Sequence, residues 1–242
     1  MNFKKPKFWD FKKPNIYAYI LLPIAVILQS LKLFKNKSKT KLKIKTICVG
    51  NIYLGGTGKT SLSIKINKLL AQKNIKSCFI KKFYKDQIDE QKLLSSNGKL
   101  FNSQTRLEAL RQAEKENYEV AILDDGLQDK SIYHNLSFIC FNNISWIGNG
   151  LTIPAGPLRD KLSVLKNYNH VFLNGNLENL ENIINKLKII NPNIIVHLGK
   201  YEPVNLDQFS AKDKYIVFSG IGNHDTFISM IKNSGLSLSL IH

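Results

Sequence analysis

The stretch GNIYLGGTGKT, residues 50–60, restricts the fold of this chain more than any other segment. It directly follows the apolar run KTICV at residues 45–49 and directly precedes a helix-length segment. Its glycines let backbone N–H groups turn around an anion, and the N-terminus of a following helix adds a positive dipole. A Walker A loop reads G-x-x-x-x-G-K-[ST], and Tyr53 stands where its first glycine belongs. Strand, loop and helix together predict a phosphate-binding loop with one unusual residue.

The loop predicts which residues would bind a nucleotide. Lys59 would reach the β and γ phosphates, and the hydroxyl of Thr60 would ligate Mg²⁺. The alternative is a structural glycine turn that happens to precede a lysine. The predicted nucleotide-binding residues are Gly55, Gly56, Thr57, Gly58, Lys59 and Thr60.

A second motif supplies the acid that such a metal needs. The apolar run VAIL ends in Asp124 and Asp125, within VAILDDGLQ at residues 120–128. Two adjacent carboxylates at a strand end repel each other unless a cation lies nearby. The arrangement matches a Walker B strand, so we predict a metal ligand here, with an ordinary Asp-Asp-Gly turn as the alternative.

Short apolar runs alternate with helix-length segments along the rest of the chain, which is typical of parallel βαβ units. The sequence therefore predicts an α/β fold of the P-loop NTPase type, with a mostly parallel sheet and helices on both faces. The predicted strands lie at residues 45–49, 76–80, 119–123, 136–141, 170–174, 193–198 and 215–219, and the predicted helices at 59–72, 106–117, 177–190 and 225–234.

The positive charge of the chain is concentrated at its N-terminus. Residues 1–45 hold twelve lysines and one acid, Asp10, which is +11 of the net +17. A nucleic-acid-binding module would interleave its basic residues with aromatics on a folded face. Most lysines here instead flank an apolar run, so we predict no nucleic-acid partner.

That apolar run, NIYAYILLPIAVILQSL at residues 15–31, has no charge over seventeen residues. As a helix it would cover about 26 Å, slightly less than the ~30 Å hydrocarbon core of a bilayer, and Pro23 weakens a straight spanning helix. We interpret residues 1–35 as a membrane-associated helix with basic flanks. A short spanning helix, a buried core helix and a signal peptide are the alternatives.

Four segments in order, VGNIYLGGTGKT (49–60), ILDDGLQ (122–128), PAGPLRD (154–160) and FSGIGN (218–223), resemble the tetraacyldisaccharide 4'-kinases, the lipid A 4'-kinases. The opening KPKFWD and the apolar helix after it are similar to that family as well. The family's own loop resembles GGTGKT without the first glycine, which accounts for Tyr53.

The resemblance implies an enzyme at the cytoplasmic face of the bacterial inner membrane. It would transfer the γ-phosphoryl group of ATP, with Mg²⁺, to the 4'-hydroxyl of a lipid A precursor, tetraacyldisaccharide 1-phosphate. The implied partner is this glycolipid, which stays in the bilayer. The alternatives are a membrane-bound P-loop ATPase switch that binds a partner protein, and a truncated nucleotide-binding remnant without kinase activity.

The resemblance also implies residue roles. It gives Lys59, Asp125 and Arg159 places in the catalytic network, and Asp124 and Asp160 places near the metal. Arg159 is one of only three arginines in the chain, and a planar guanidinium suits bidentate phosphate binding. The segment IDEQKLL (88–94) looks like the family's Asp-Glu-Pro segment, which makes Asp89 the candidate base. An acid on a lysine-rich loop is more often a solvated partner, which is the alternative.

The chain departs from the family pattern in three places. Asp129 stands where the family usually has histidine, and His224 where it usually has proline. The family also has a later Asp-His-containing segment whose histidine supports the catalytic aspartate, and neither His224 nor His242 can be equated with it. From the resemblance and the number of strands we predict a kinase core at residues 44–168 and a smaller, incomplete α/β lobe at 169–242.

Overall fold

The computed structural model describes residues 5–33, 38–84, 87–178, 180–218 and 224–241. Seven strands form one sheet in the order β3-β2-β4-β1-β5-β6-β7, and every neighbouring pair is parallel. The predicted α/β fold of the P-loop type with a mostly parallel sheet is confirmed. In chain order the strands are β1 Lys45–Gly50, β2 Ser77–Lys82, β3 Leu100–Ser103, β4 Val120–Asp124, β5 Leu136–Asn142, β6 His170–Gly175, β7 Ile195–Lys200, β8 Lys214–Val217 and β9 Ser237–Ile241.

Helices cover both faces of the sheet, as predicted. In β4, Ala121 and Leu123 pack with the α4 residues Ala109 and Leu110 on one face. Ile122 points to the other face and packs with residues of α2 and α3. This alternation is the period of two expected of a strand buried on both sides. In chain order the helices are α1 Ile16–Leu33, α2 Lys59–Gln72, α3 Ile88–Ser95, α4 Arg106–Lys115, α5 Leu180–Ile190 and α6 His224–Asn233.

The large sheet continues past residue 168, where the sequence predicts a boundary between two domains. β6 pairs with β5 from Phe138 opposite His170 to Asn142 opposite Asn174. A division at residue 168 would therefore pass between two neighbouring strands of one sheet. Among the described strands, β8 and β9 alone form a second sheet. The division of the chain into domains stays a prediction.

Two regular elements lie in a stretch for which the sequence predicts neither a helix nor a strand. Residues 88–95 form α3 and residues 100–103 form β3 at the edge of the sheet. α3 is only eight residues long and mostly polar, so its sequence pattern is weak. Its Leu94 is fully buried and packs in the same cluster as Phe79 of β2, so the helix is stabilised by burial against the sheet rather than by its own pattern.

α1 lies with one narrow stripe against the protein and the rest of its surface exposed. Ala18 and Ala25, seven residues apart, are fully buried on that stripe. The alternative of a buried core helix is therefore wrong. No helix within the described ranges is both long enough and apolar enough to span a membrane. The exposed large apolar side chains of α1 are Ile16, Tyr17, Tyr19, Ile20, Ile24, Val26, Ile27, Leu28 and Leu31.

Candidate active site

The phosphate-binding loop lies between β1 and α2, at the carboxyl edge of the sheet. Gly58 is in the left-handed region with φ +74°, and a Cβ there would lie 2.0 Å from Nδ2 of Asn174. Only glycine fits this position. Within the described part of the chain no side chain caps the first turn of α2, so its N–H groups can bind an anion.

Tyr53, the unusual residue of the loop, holds the loop entry against the N-terminal segment. Its side chain is buried, and its hydroxyl accepts a hydrogen bond from Lys5 at 2.6 Å and donates one to Asp10 at 3.2 Å. The backbone N–H of Leu54 donates to the carbonyl of Pro157 at 2.8 Å. The side chain of Tyr53 therefore anchors this end of the loop to the N-terminal segment.

Asp124 ends β4 and its carboxylate is fully buried behind the loop. Its Oδ2 accepts from the hydroxyl of Thr60 at 3.4 Å and its Oδ1 from the hydroxyl of Ser63 at 3.3 Å. The ammonium group of Lys81 lies 2.8 Å from the same Oδ2. Burial alone would lower the pKa of Lys81, but Asp124 and Glu90 outweigh it and raise that pKa, so Lys81 stays charged.

Asp125 holds the positive side chains of the site together. Its backbone is left-handed, with φ +55°, which is uncommon for a residue with a side chain and recurs at functional sites. Nη1 of Arg159 lies 2.9 Å from Oδ1, and Nζ of Lys59 lies 3.8 Å from the same oxygen. Burial would raise the pKa of Asp125, but the charges of Lys59, Arg159 and Arg106 outweigh it and lower that pKa. Asp125 is thus an anion that orients two cations towards the loop.

Asp160 lies beside α1 rather than beside Asp124. Its Oδ1 is 3.2 Å from Nζ of Lys32. Lys32 also donates to the carbonyl oxygen of Arg159, and so does the side-chain amide of Gln29, at 3.1 Å. No contact in the described residues joins Asp160 to Thr60 or Asp124, so its metal role stays a prediction.

The predicted base, Asp89, lies exposed in the first turn of α3. Within the described residues its carboxylate forms no hydrogen bond or ion pair. The neighbouring Glu90 instead reaches the site, because its Oε2 lies 2.5 Å from Nζ of Lys81. The role of Asp89 stays a prediction, and the structure adds Glu90 to the acids near the loop.

A cavity of about 380 Å³ opens beside the loop, between Gly58, the ends of β5 and β6, and α6. Buried amides connect its walls. Nδ2 of Asn174 donates to the carbonyl of Thr57 at 3.1 Å, and Nδ2 of Asn142 donates to Oδ1 of Asn174 at 3.2 Å and to Oγ1 of Thr226 at 2.7 Å. These hydrogen bonds fix the loop to the sheet and to α6.

Sequence reasoning missed four residues of the site: Lys81, Glu90, Arg106 and Asn174. Arg106 carried a signal, because arginine is rare in this chain. Its Nη2 donates to the carbonyl of Asp125 at 2.7 Å, and its Nη1 lies 3.8 Å from Asp129, the residue that departs from the family pattern. Lys81, Glu90 and Asn174 carried no such signal in the sequence, because lysine, glutamate and asparagine are common surface residues.

Comparison with known proteins agrees with this geometry. The sequence profile of the tetraacyldisaccharide-1-P 4'-kinase family matches residues 17–101 and 89–241. The tetraacyldisaccharide 4'-kinase of Pelagibacter ubique (strain HTCC1062) is 57% identical over 239 residues, which cover 98% of this chain and 76% of that protein. The protein of the same name from Rickettsia akari (strain Hartford) is 31% identical over 256 residues, which cover 97% of this chain and 75% of that protein.

The fold matches a solved structure as well. The Aquifex aeolicus LpxK structure, described as an "apo" form in complex with ATP, has a TM-score of 0.67 to this chain. The two sequences are 22% identical, and the match covers 94% of this chain and 81% of the Aquifex chain. At this identity the likeness supports the fold alone. The family profile over most of the chain and the Pelagibacter relative confirm the resemblance carried by the four motifs: this chain belongs to the tetraacyldisaccharide 4'-kinase family.

Proposed function

We propose that this protein transfers the γ-phosphoryl group of ATP to the 4'-hydroxyl of tetraacyldisaccharide 1-phosphate, a step of lipid A biosynthesis. The observation that carries the proposal is the convergence of Lys59 and Arg159 on Asp125 beside an uncapped helix N-terminus, in a member of this family. Two cations held by one carboxylate, next to free N–H groups, suit a polyphosphate better than a neutral ligand.

Phosphoryl transfer requires positioning and charge stabilisation more than covalent chemistry by the protein. The loop N–H groups would hold phosphate oxygens of ATP, and Lys59, the first residue of α2, would bind the group that is transferred. Arg159 contacts the same oxygen of Asp125 as Lys59 and would stabilise negative charge on the phosphates. The cavity beside Gly58 has room for the rest of the nucleotide.

The residues present fit Mg²⁺. Thr60 and Asp124 offer a hydroxyl and a carboxylate, the hard oxygen donors that this ion prefers. Bound there, the ion would neutralise charge on the phosphates.

The acceptor hydroxyl needs a group that takes its proton. Asp89 is the proposed base, since it lies in the first turn of α3, next to Glu90, and is exposed to an incoming substrate.

We also propose that α1 associates with the cytoplasmic face of the inner membrane, where the glycolipid substrate resides. Nine large apolar side chains of this helix are exposed, and lysines precede and follow it in the sequence. Such a helix buries its apolar side in the interface while its lysines attract anionic headgroups. Lys32 and Gln29 contact the carbonyl of Arg159, so this surface lies next to the active site.

The membrane proposal is tested by co-sedimentation with anionic phosphatidylglycerol vesicles and neutral phosphatidylcholine vesicles. Ile20→Glu and Ile27→Glu should abolish binding to the anionic vesicles. The matched control is Ile189→Glu on α5, whose side chain is 82% exposed and lies outside α1. Equal loss in all three variants, or no binding by the unaltered protein, would exclude a role for α1.

The kinase proposal is tested by transfer of labelled γ-phosphate from ATP to tetraacyldisaccharide 1-phosphate in detergent. Lys59→Ala should remove the transfer. Lys65→Ala is the control, because Lys65 is exposed on the same helix. ATP hydrolysis that responds to a partner protein and never to the glycolipid would favour the switch ATPase instead. Binding of ATP without any turnover would favour the inactive remnant.

A further inference from the structure

Lys81 is a buried lysine with no role in the mechanism so far. It lies near the carboxyl end of β2, and its side chain is 1% exposed. Phe79, two residues earlier, points to the same face of the sheet and packs against Leu62 of α2 and Leu94 of α3. A lysine is rarely buried this deeply unless its charge is paired.

The ammonium group of Lys81 joins two acids on different elements. Nζ lies 2.8 Å from Oδ2 of Asp124, at the end of β4. It also lies 2.5 Å from Oε2 of Glu90, in the first turn of α3. Asp124 is fully buried, whereas the Glu90 side chain is half exposed. Lys81 therefore connects the buried carboxylate of Asp124 to the half-exposed carboxylate of Glu90 at the start of α3.

The same contact places a fixed positive charge where the metal would be held. Thr60 and Lys81 both approach Oδ2 of Asp124, at 3.4 Å and 2.8 Å. An ion held by Thr60 and Asp124 would share that carboxylate with an ammonium group. Like charges at such distances repel, so Lys81 weakens metal binding. Glu90 offsets part of this repulsion by neutralising Lys81.

We propose that Lys81 is a positioning residue of the phosphoryl-transfer site: it fixes the carboxylate of Asp124, draws Glu90 and the start of α3 to the loop, and in doing so weakens Mg²⁺ binding. This inference rests on the proposed nucleotide-binding function. It distinguishes Lys81 from an ordinary structural ion pair, because removal of a structural pair would not make the metal bind more tightly.

The test measures binding of a fluorescent, non-hydrolysable ATP analogue to the whole protein as Mg²⁺ is titrated, together with kcat and KM for phosphoryl transfer. In Lys81→Met the Mg²⁺ concentration for half-saturation should fall roughly tenfold, because the competing charge is gone. In the same variant kcat should fall about tenfold or more while KM for ATP changes little, since Glu90 and α3 lose their anchor.

Glu90→Gln should shift the Mg²⁺ concentration for half-saturation in the opposite direction. Lys81 then keeps its full charge next to Asp124, so half-saturation should need roughly two- to threefold more Mg²⁺. Glu90 lies at the surface, so this variant tests the inference even if Lys81→Met does not fold, which circular dichroism would show. The matched control is Lys76→Met. Lys76 is exposed directly before β2 and contacts the carbonyl of Glu116 and the ring of Tyr118.

Opposite shifts in the two variants, with none in the control, would support the inference. The inference would be overturned if the Mg²⁺ concentration for half-saturation moved in the same direction in Lys81→Met and Glu90→Gln. It would also be overturned if the change in Lys81→Met were no larger than in the control Lys76→Met. The binding readout does not depend on the acceptor. Unaltered protein that binds the Mg²⁺ complex but phosphorylates no glycolipid would therefore overturn the proposed kinase activity and leave the Lys81 result to be judged separately.

Discussion

One guanidinium nitrogen of Arg159, Nη1, lies 2.9 Å from Oδ1 and 3.1 Å from Oδ2 of Asp125, so one nitrogen donates to both carboxylate oxygens. Arg159 comes from the segment PAGPLRD and Asp125 from the strand end of DDGLQ. Two motifs more than 30 residues apart in sequence thus meet in one ion pair. This pair holds the guanidinium against the carboxylate that Lys59 also contacts, at 3.8 Å.

Arg159→Lys should therefore lower kcat by about ten- to a hundredfold, because an ammonium group cannot reproduce the planar geometry of the guanidinium. The free energy of unfolding should change by less than about 1 kcal/mol, because the pair is partly solvated. Initial rates of glycolipid phosphorylation and chemical denaturation measure the two quantities. Arg111→Lys, on the exposed side of α4, is the control. More than half of the activity left in Arg159→Lys would contradict the assigned role.

Gly58→Ala should weaken ATP binding by at least about tenfold and destabilise the protein by about 1–2 kcal/mol. The left-handed backbone strains any L-residue there, and the new Cβ would lie 2.0 Å from Asn174 and 2.6 Å from the hydroxyl of Tyr201. Isothermal titration with ATP and thermal unfolding test both effects.

Gly235→Ala separates strain from steric clash. Gly235 has φ +82°, but nothing lies within 4 Å of its added Cβ. This variant should lose less stability than Gly58→Ala, because it has the strain without the clash, and it should keep its ATP affinity. Equal losses of affinity in both variants would show that the clash at Gly58 is not what blocks the nucleotide.

Acid should destabilise the protein through His134. Burial lowers the pKa of His134 from 6.5 to about 4, and its Nε2 is buried without a hydrogen-bond partner in the described structure. Between these two values the unfolded chain binds more protons than the folded one. Stability is therefore complete above about pH 6.5 and falls as the pH drops towards 4, by up to about 3 kcal/mol.

Urea denaturation at pH 7.5 and pH 5.0 measures this loss. His134→Leu should remove most of it, because leucine has no proton to gain. His197→Asn should remove a smaller part, since burial and the neighbouring His170 also lower the pKa of His197. An unchanged pH dependence in His134→Leu would refute the assignment.

Lys32→Met should lower the rate of transfer several-fold without changing stability by more than about 1 kcal/mol. Lys32 lies 3.2 Å from Asp160 and donates to the carbonyl of Arg159, so its loss releases the backbone that carries the guanidinium. Rates should be measured in detergent, where membrane attraction plays no part. Lys13→Met, an exposed lysine in the basic segment before α1, controls for net charge. A similar fall of the transfer rate in Lys32→Met and Lys13→Met would mean that the net charge of the protein, and not the contact of Lys32 with Arg159 and Asp160, determines the rate.

The parts of the site that sequence predicted are those fixed by local chain geometry. A run of glycines before Lys59 specifies a loop at a helix start, and paired acids after an apolar run specify a strand end. Both lie where predicted, and the helix α2 begins at Lys59 as expected. The fold class followed from the same alternation of strands and helices.

The rest needed the tertiary structure. The carboxylate of Asp124 contacts Lys81 only because β2 and β4 are neighbours in the sheet. The order of strands in a sheet cannot be predicted from the residues of any single segment. α3 forms because Leu94 is buried against the sheet, and that burial brings Glu90 rather than Asp89 to the ammonium group.

By itself, then, the sequence determined the glycine-rich loop at the start of a helix, the acidic strand end, the α/β class and the apolar helix with basic flanks. Each depends on residues within a few positions of one another, where backbone geometry and periodicity act directly. The tertiary structure decided which distant charges pair: Arg159 with Asp125, Lys32 with Asp160, and Lys81 with Asp124 and Glu90. In a chain with 35 basic residues, only packing can bring these few against the acids of the site and leave most of the others in solvent.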